Sequence, residues 1–338
     1  GLRLDAYGLA QEAQYRQAVG VALRLNAALA QPGNWQVFAR VVDAQGRVWG
    51  SLDERLADMD ALATGDWQPG SAHECLLAVP LRAGIPWGSY RVVVGLYELD
   101  GLRRLNLLDV AGNPAGTELT PGTVQVLPAL VPAREDELGE RTALDANLAG
   151  LALRGYRLDA GAYATGEQAD LALFLQPQGQ LADDVQLVLG WRAGGDGAIA
   201  WTSAQPLAGQ GRRSADWPAQ ETLEIHYLVP VPEALADGDY TLMFNLQIGA
   251  DGPSLLPEDV ALGTVAVTHL TRIYEPPAMQ HIETATLGES AQLLGYDLGE
   301  TALASGGSLA QTLYWQVLAP EARDLADFVH LLYAEGRV

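Results

Sequence analysis

Residues 79–97, VPLRAGIPWGSYRVVVGLY, and residues 229–247, VPVPEALADGDYTLMFNLQ, carry one pattern twice. Each leads from Val-Pro through a small-residue turn, Gly88-Ser89 or Gly238-Asp239, into an alternating run that aligns Tyr90 with Tyr240. Period-two alternation after a Gly-containing turn marks a strand whose two faces differ. The match extends on both sides. GDWQPG (65–70) stands against ADWPAQ (215–220), pairing Trp67 with Trp217, and GTVQVL (122–127) stands against GTVAVT (263–268).

Further upstream the pattern occurs three times. LRLDAYGL (2–9), LALRGYRL (151–158) and AQLLGYDL (291–298) place Tyr7, Tyr156 and Tyr296 in register. About thirty residues after each come FARVVDAQGRVW (38–49), VLGWRAGGDGAIAW (188–201) and FVHLLYAEGRV (328–338). An apolar run, a short Gly turn and a second apolar run predict a β-hairpin, with Gly46 and Gly336 at the left-handed position. Repetition at this scale predicts an all-β chain of tandem antiparallel β-sandwiches, immunoglobulin-like or carbohydrate-binding-like. The expected division is a first sandwich over 1–127, a linker over 128–141 and a second sandwich over 142–268. A Pro-bearing linker over 269–281 and the first half of a third sandwich over 282–338 follow. Half a sandwich would expose an apolar face and unpaired edges, so the pattern leads us to expect continuation beyond Val338. EDELGER (135–141) is the expected helical turn, and RIYEPPAMQH (272–281) the extended connection, because proline fixes φ.

Composition narrows the function classes. With 42 acidic and 20 basic residues the formal charge is -22, a field that opposes phosphate backbones and acidic membranes alike. Every basic residue is arginine, and lysine is absent. Cys75 is the single cysteine, so no intrachain disulfide forms, and its alternating context HECLLAVP predicts a small buried side chain. No apolar run approaches the ~18 residues of a spanning helix, so no membrane insertion by this segment is expected.

LLGYDL (293–298) followed by LYWQVLAPEARDLADFVHLLYAEGRV (313–338) resembles the repeated extracytoplasmic β-sandwich regions that follow the membrane domain of bacterial glycosyltransferases of the dolichyl-phosphate-mannose type. WQPG (67–70), GSYRVVVGLYELDGLRRL (88–105) and LLDVAGNPAGTELTPGTVQV (107–126) fit the same pattern. The second unit departs from it, since GWRAGGDGAIAWTS (190–203) lacks the acidic hairpin residue that Asp43 supplies in the first. The resemblance implies location and fold, with catalysis in a membrane portion outside this segment. Similar units also occur in large bacterial surface proteins.

Motifs for chemistry are few. His73, His226, His269, His281 and His330 form no H-E-x-x-H pair, and no G-x-S-x-G elbow occurs. GGDGAIA (194–200) lacks the lysine of a phosphate loop and predicts a hairpin turn. SLDERLADMDAL (51–62) reads as one loop whose carboxylates Asp53, Glu54, Asp58 and Asp60 are candidates for Ca²⁺, although no EF-hand spacing is present. Trp35 and Trp87 lack aromatic counterparts in the second unit and lie in loop-like PGNWQV and GIPWGSY, which makes them the candidate ligand platform. Trp67 and Trp217 recur together and predict packing. These features point to a non-catalytic extracytoplasmic segment at the cell surface or the outer face of the membrane, with no cofactor besides that calcium candidate. Its expected role is spacing, docking or assembly with other protein chains through sheet edges or sandwich faces, without nucleic acid. The alternative is a carbohydrate-recognition appendage, with glycans as ligands.

Overall fold

The computed structural model describes residues 1–338 except 195–196, 210, 250–251, 272, 274, 300–307 and 320–338. The predicted turn at Gly336, the hairpin over 328–338 and His330 lie outside the described residues. The chain divides into two compact units, Gly1–Leu270 and Thr271–Val338.

The first unit is all-β and holds two sandwiches. Strands β1 (Leu2–Leu9), β2 (Glu12–Ala13), β3 (Ala18–Ala27) and β4 (Trp35–Val42) open the first, and β5 (Val48–Arg55), β6 (Ala72–Pro80), β7 (Gly88–Glu98) and β8 (Leu119–Val126) complete it. Its sheets run β1-β3-β6 and β2-β8-β7-β4-β5. The second contains β9 (Ala146–Leu148), β10 (Leu151–Leu158), β11 (Ala162–Ala164), β12 (Gln168–Pro177) and β13 (Val185–Ala193). Strands β14 (Ile199–Pro206), β15 (Leu223–Pro230), β16 (Gly238–Ile248) and β17 (Val260–Thr268) follow, giving sheets β9-β10-β12-β15 and β11-β17-β16-β13-β14. All pairings are antiparallel except the short β2–β8 and β11–β17 contacts.

The repeated sequence produces repeated irregularities. The β1–β3 pairing shifts register between Leu4 and Ala6, and the β10–β12 pairing shifts between Leu153 and Gly155. In the second unit β18 (His281–Leu287), β19 (Ala291–Leu298) and β20 (Gln311–Val317) form one sheet, with the shift between Leu293 and Gly295. One bulge, set beside the aligned tyrosines, recurs in three sheets. Such bulges increase local twist and pin the register.

Each sandwich closes on its own core. Val21, Leu23, Val41, Cys75, Leu77 and Val92 fill the first, and Leu171, Leu173, Trp191, Ile225, Tyr227 and Leu242 the second. Trp67 and Trp217, each 2% exposed, occupy matching places beneath short 3-10 turns, and their indole N–H groups donate to Leu62 O and Glu221 O. Burying the ring while giving its N–H a carbonyl is what a packing tryptophan requires. Gly46 takes φ +81° in the β4–β5 hairpin, the left-handed turn read from its sequence. The expected helical turn is a 3-10 turn over Glu135–Glu137. The stretch 51–62 is not one loop, because β5 carries the chain through Arg55 as the partner of β4.

Candidate functional site at the junction of the two sandwiches

Leaving β8, the chain stays attached to both sandwiches. Leu127 N donates to Ala13 O of the first, and Ala129 N to Glu221 Oε1 of the second. Glu137 closes the 3-10 turn by accepting from Arg134 N at 2.7 Å and is held by Arg16 Nη2 at 2.7 Å. Leu138 then enters a small apolar core with Ala83, Ala172 and Phe174, flanked by Tyr15 and Ala133. Both sandwiches and the linker contribute to it.

A polar clasp lies beside this core. The Glu224 carboxylate, with no exposed side-chain surface, accepts from Arg82 Nη2 of the first sandwich and Arg157 Nη2 of its own, each at 2.5 Å. His226 Nε2 stands 3.1 Å from Glu224 Oε1, and His226 Nδ1 stands 2.7 Å from Asp170 Oδ1. Asp170 Oδ2 accepts from Arg47 Nε of the first sandwich at 3.0 Å. Carboxylates only accept, so an imidazole between two of them satisfies both as the imidazolium. Burial alone would raise the Glu224 carboxyl, but the His226 hydrogen bond and the Arg82 and Arg157 charges outweigh it and hold it at about 2. Burial would lower His226, and its bonds to Asp170 and Glu224 outweigh that and raise it. Trp49 meets the His226 ring edge-on at 5.8 Å and carries the Arg82 guanidinium over its own face at 5.1 Å. The backbone joins as well. Glu224 N donates to Gly84 O at 2.8 Å, and Gly84, at φ +80°, could carry a Cβ only by crowding Glu224 N at 3.3 Å.

Next to the clasp opens a cavity of about 660 Å³, walled by the first sandwich around Arg47, Trp49 and Trp87 and by the second around Gln205, Arg212 and Tyr227. Its volume falls in the range of small-molecule sites. The candidate platform residues separate here. Trp87 is half-buried in the cavity wall, set edge-on to Trp217 at 6.2 Å with the Arg212 guanidinium 5.9 Å from its ring. Trp35 is 8% exposed, its N–H bonded to Gln31 Oε1, so it presents no open face and takes no part in the cavity.

The calcium candidates are also dispersed. Asp53 and Glu54 lie on β5, where Asp53 meets Arg40 and the Tyr97 hydroxyl. Asp58 closes a turn by accepting from Asp60 N and Leu62 N and faces His73 with its other oxygen, while Asp60 stands exposed. Among the described residues, no three His, Cys, Asp or Glu side chains are grouped to hold a metal ion.

Sequence reading gave no prominence to a second arrangement. Ser71 Oγ is 2.6 Å from His73 Nε2, whose Nδ1 is 2.7 Å from Asp58 Oδ2, the spacing of a Ser-His-carboxylate relay. Ser71 Oγ also donates to Gln68 O at 2.6 Å. The neighbouring backbone donors, Gly70 N and Ser71 N, are spent on Ala27 O and Gln68 O, so neither serves an oxyanion. His73 stacks flat on Trp67 at 4.1 Å, and the chain of bonds ties the 58–62 turn to the start of β6. Cys75, fully buried below it, has its thiol pushed up to about 12 by burial.

No family model matches the chain, and no curated protein matches it. Among solved structures, a DUF4785 family protein from Legionella pneumophila is similar over 75% of this chain at 10% identity, with a TM-score of 0.21. The chain spans 54% of that protein's length.

Proposed function

We propose that this chain is a non-catalytic spacing and docking module of the cell surface, in which two sandwiches are held at one fixed geometry. The observation that carries this reading is the Glu224 clasp. A carboxylate with no exposed surface, bridged by one arginine from each sandwich, is stable only while both sandwiches stay in place. Flexibly tethered domains share small, wet contacts, whereas this junction combines an apolar core, ion pairs and a backbone hydrogen bond. The extracytoplasmic position in this reading rests on the resemblance of LLGYDL (293–298) and WQPG (67–70) to extracytoplasmic sandwich repeats. The test is a distance distribution between spin labels placed one on each sandwich. A single narrow distribution, unchanged between low and high salt, is the expected result. A broad distribution would mean that the sandwiches swing freely, and the reading fails.

The cavity favours a second reading, carbohydrate recognition, because Trp87 and Trp49 share its wall with amide and hydroxyl side chains. Titration with oligosaccharides, followed by tryptophan fluorescence, tests it.

A further inference from the structure

The cavity contains an arginine without a counter-charge. Among the described residues, Arg24, Arg55, Arg91 and Arg212 form no ion pair with a carboxylate, and the first three stand exposed. Arg212 is withdrawn from solvent into the cavity wall. Its Nε donates to Trp87 O at 2.5 Å and its Nη1 to Ala208 O at 3.3 Å, bonds that fix the guanidinium across both sandwiches without neutralising it. Two glycines leave it room. A Cβ on Gly88 would stand 3.4 Å from Nη2, and one on Gly209 would stand 3.1 Å from Nη1. A half-buried guanidinium whose partners are two carbonyls and the neighbouring Tyr90 hydroxyl has lost hydration without gaining an anion.

We propose that the junction cavity binds a saccharide bearing one carboxylate, a uronic acid residue of an acidic glycan, with Arg212 as the group that receives the carboxylate. Charge selects a monoanion. In the wall Arg47 is paired with Asp43 and Asp170, and Glu224 with Arg82 and Arg157, so Arg212 is the cation there that no carboxylate meets, in a chain of formal charge -22. Arg47 is already engaged by Asp43 and Asp170, so a dianionic phosphate would find one free cation where it needs two. The rest of the wall suits a polyhydroxylated body. Trp87 lines it half-buried, Gln45, Ser89 and Gln125 stand exposed in its wall, and Gln205 is fixed by its bond to Leu228 O. Both sandwiches supply contacts, so a bound glycan would bridge the junction that the clasp holds.

This inference rests on the carbohydrate reading, and the experiment separates the two. Galacturonate and glucuronate trisaccharides, and their methyl esters, are titrated into the full chain by calorimetry and tryptophan fluorescence. Expected is binding of a free acid, no binding of its ester, and weakening as salt rises. Arg212→Gln should raise the Kd roughly tenfold or more, the worth of one charge-assisted hydrogen bond. Arg212→Lys, which keeps the charge and so guards against a merely misfolded Gln variant, should recover part of the affinity. If esters bind as well as acids, carbohydrate recognition stands and the carboxylate assignment is overturned. If neither binds, both fall. Full affinity in Arg212→Gln likewise overturns the role of Arg212.

Discussion

Strands β6 and β15 occupy the same place in two sandwiches and meet opposite fates. Arg24 lies opposite Glu74 in one, and Phe174 opposite Glu224 in the other, which fixes the correspondence residue by residue. In the first sandwich the outward face is open. Arg24 and Glu74 are exposed, and Leu76 is 62% exposed. In the second the matching Phe174 and Glu224 are fully buried, and His226 takes the place of Leu76 inside the clasp. What differs is the neighbour, since the underside of the first sandwich covers the second. One scaffold thus yields a solvent face or a second core according to what lies against it, and chemistry follows cover. The acid that merely solubilises at Glu74 becomes a bridge at Glu224.

The comparison breaks most visibly at the apolar pair. Phe174→Ala should cost about 3–5 kcal/mol in denaturant unfolding, because a fully buried ring leaves a cavity between packed layers. Arg24→Ala, at the same strand position, should stay within about 0.5 kcal/mol. Next comes the charge. Glu224→Ala leaves Arg82 and Arg157 facing a hole, but both are a third to a half exposed and regain water. The expected loss is therefore about 3 kcal/mol, the low end for a broken buried pair. An equal loss for Glu74→Ala would show that cover is not what separates the faces.

How much of this was legible depends on which side of a strand one reads. The strands, the Gly46 turn and the packing role of Trp67 and Trp217 follow from local alternation and repetition, which the chain writes twice. The clasp does not, because Glu224, Asp170, Arg157, Arg82 and Arg47 come from three strands and two loops with no shared motif. Yet a signal was present. Strand β3 alternates buried and outward positions, as VGVALRL suggests, whereas β12 reads DLALFL and is buried almost throughout. A continuous apolar run in an antiparallel sheet announces two covered faces. Trp35 misled for a related reason. A polar, Gly-bearing flank looks like a loop, but Trp35 begins β4 and is covered.

Glu221 sharpens the comparison through pH. It takes the place of Ser71, with Gln220 at φ +68° matching Gly70 at +85°, and it lies 4% exposed with Oε2 unpartnered. Burial pushes its carboxyl up to about 7. Below the unfolded value near 4.5 both states hold the proton and nothing is lost. As pH rises from there through about 7, the unfolded state releases its proton first, so stability falls, by up to about 3 kcal/mol. Glu221→Gln should remove that part of the fall between pH 5 and 8. His226, raised in the folded state, loses its contribution over a higher window, from about 6.5 upward, so His226→Gln should remove the remainder. Glu224, held down, contributes above about 4.5 and fails only as pH drops toward 2. Together these place the firmest junction in mildly acidic solution, between the windows in which the clasp loses one partner or another.

The smallest expected effect is the most discriminating. Leu76→His installs the second sandwich's histidine on the open face of the first, two residues from Glu74 as His226 is from Glu224. If strand position alone made the clasp, the new imidazole would pair with Glu74 and titrate upward. If cover makes it, the imidazole has water on one side and no Asp170 equivalent, since Gly20 occupies that place on β3. An exposed ion pair is worth little. The imidazole pKa, followed by proton NMR, should therefore stay near the ordinary 6.5, and stability should change by less than about 0.5 kcal/mol. A raised value would transfer the cause from the covering sandwich to the strand itself, and the two faces would then differ in sequence more than in company.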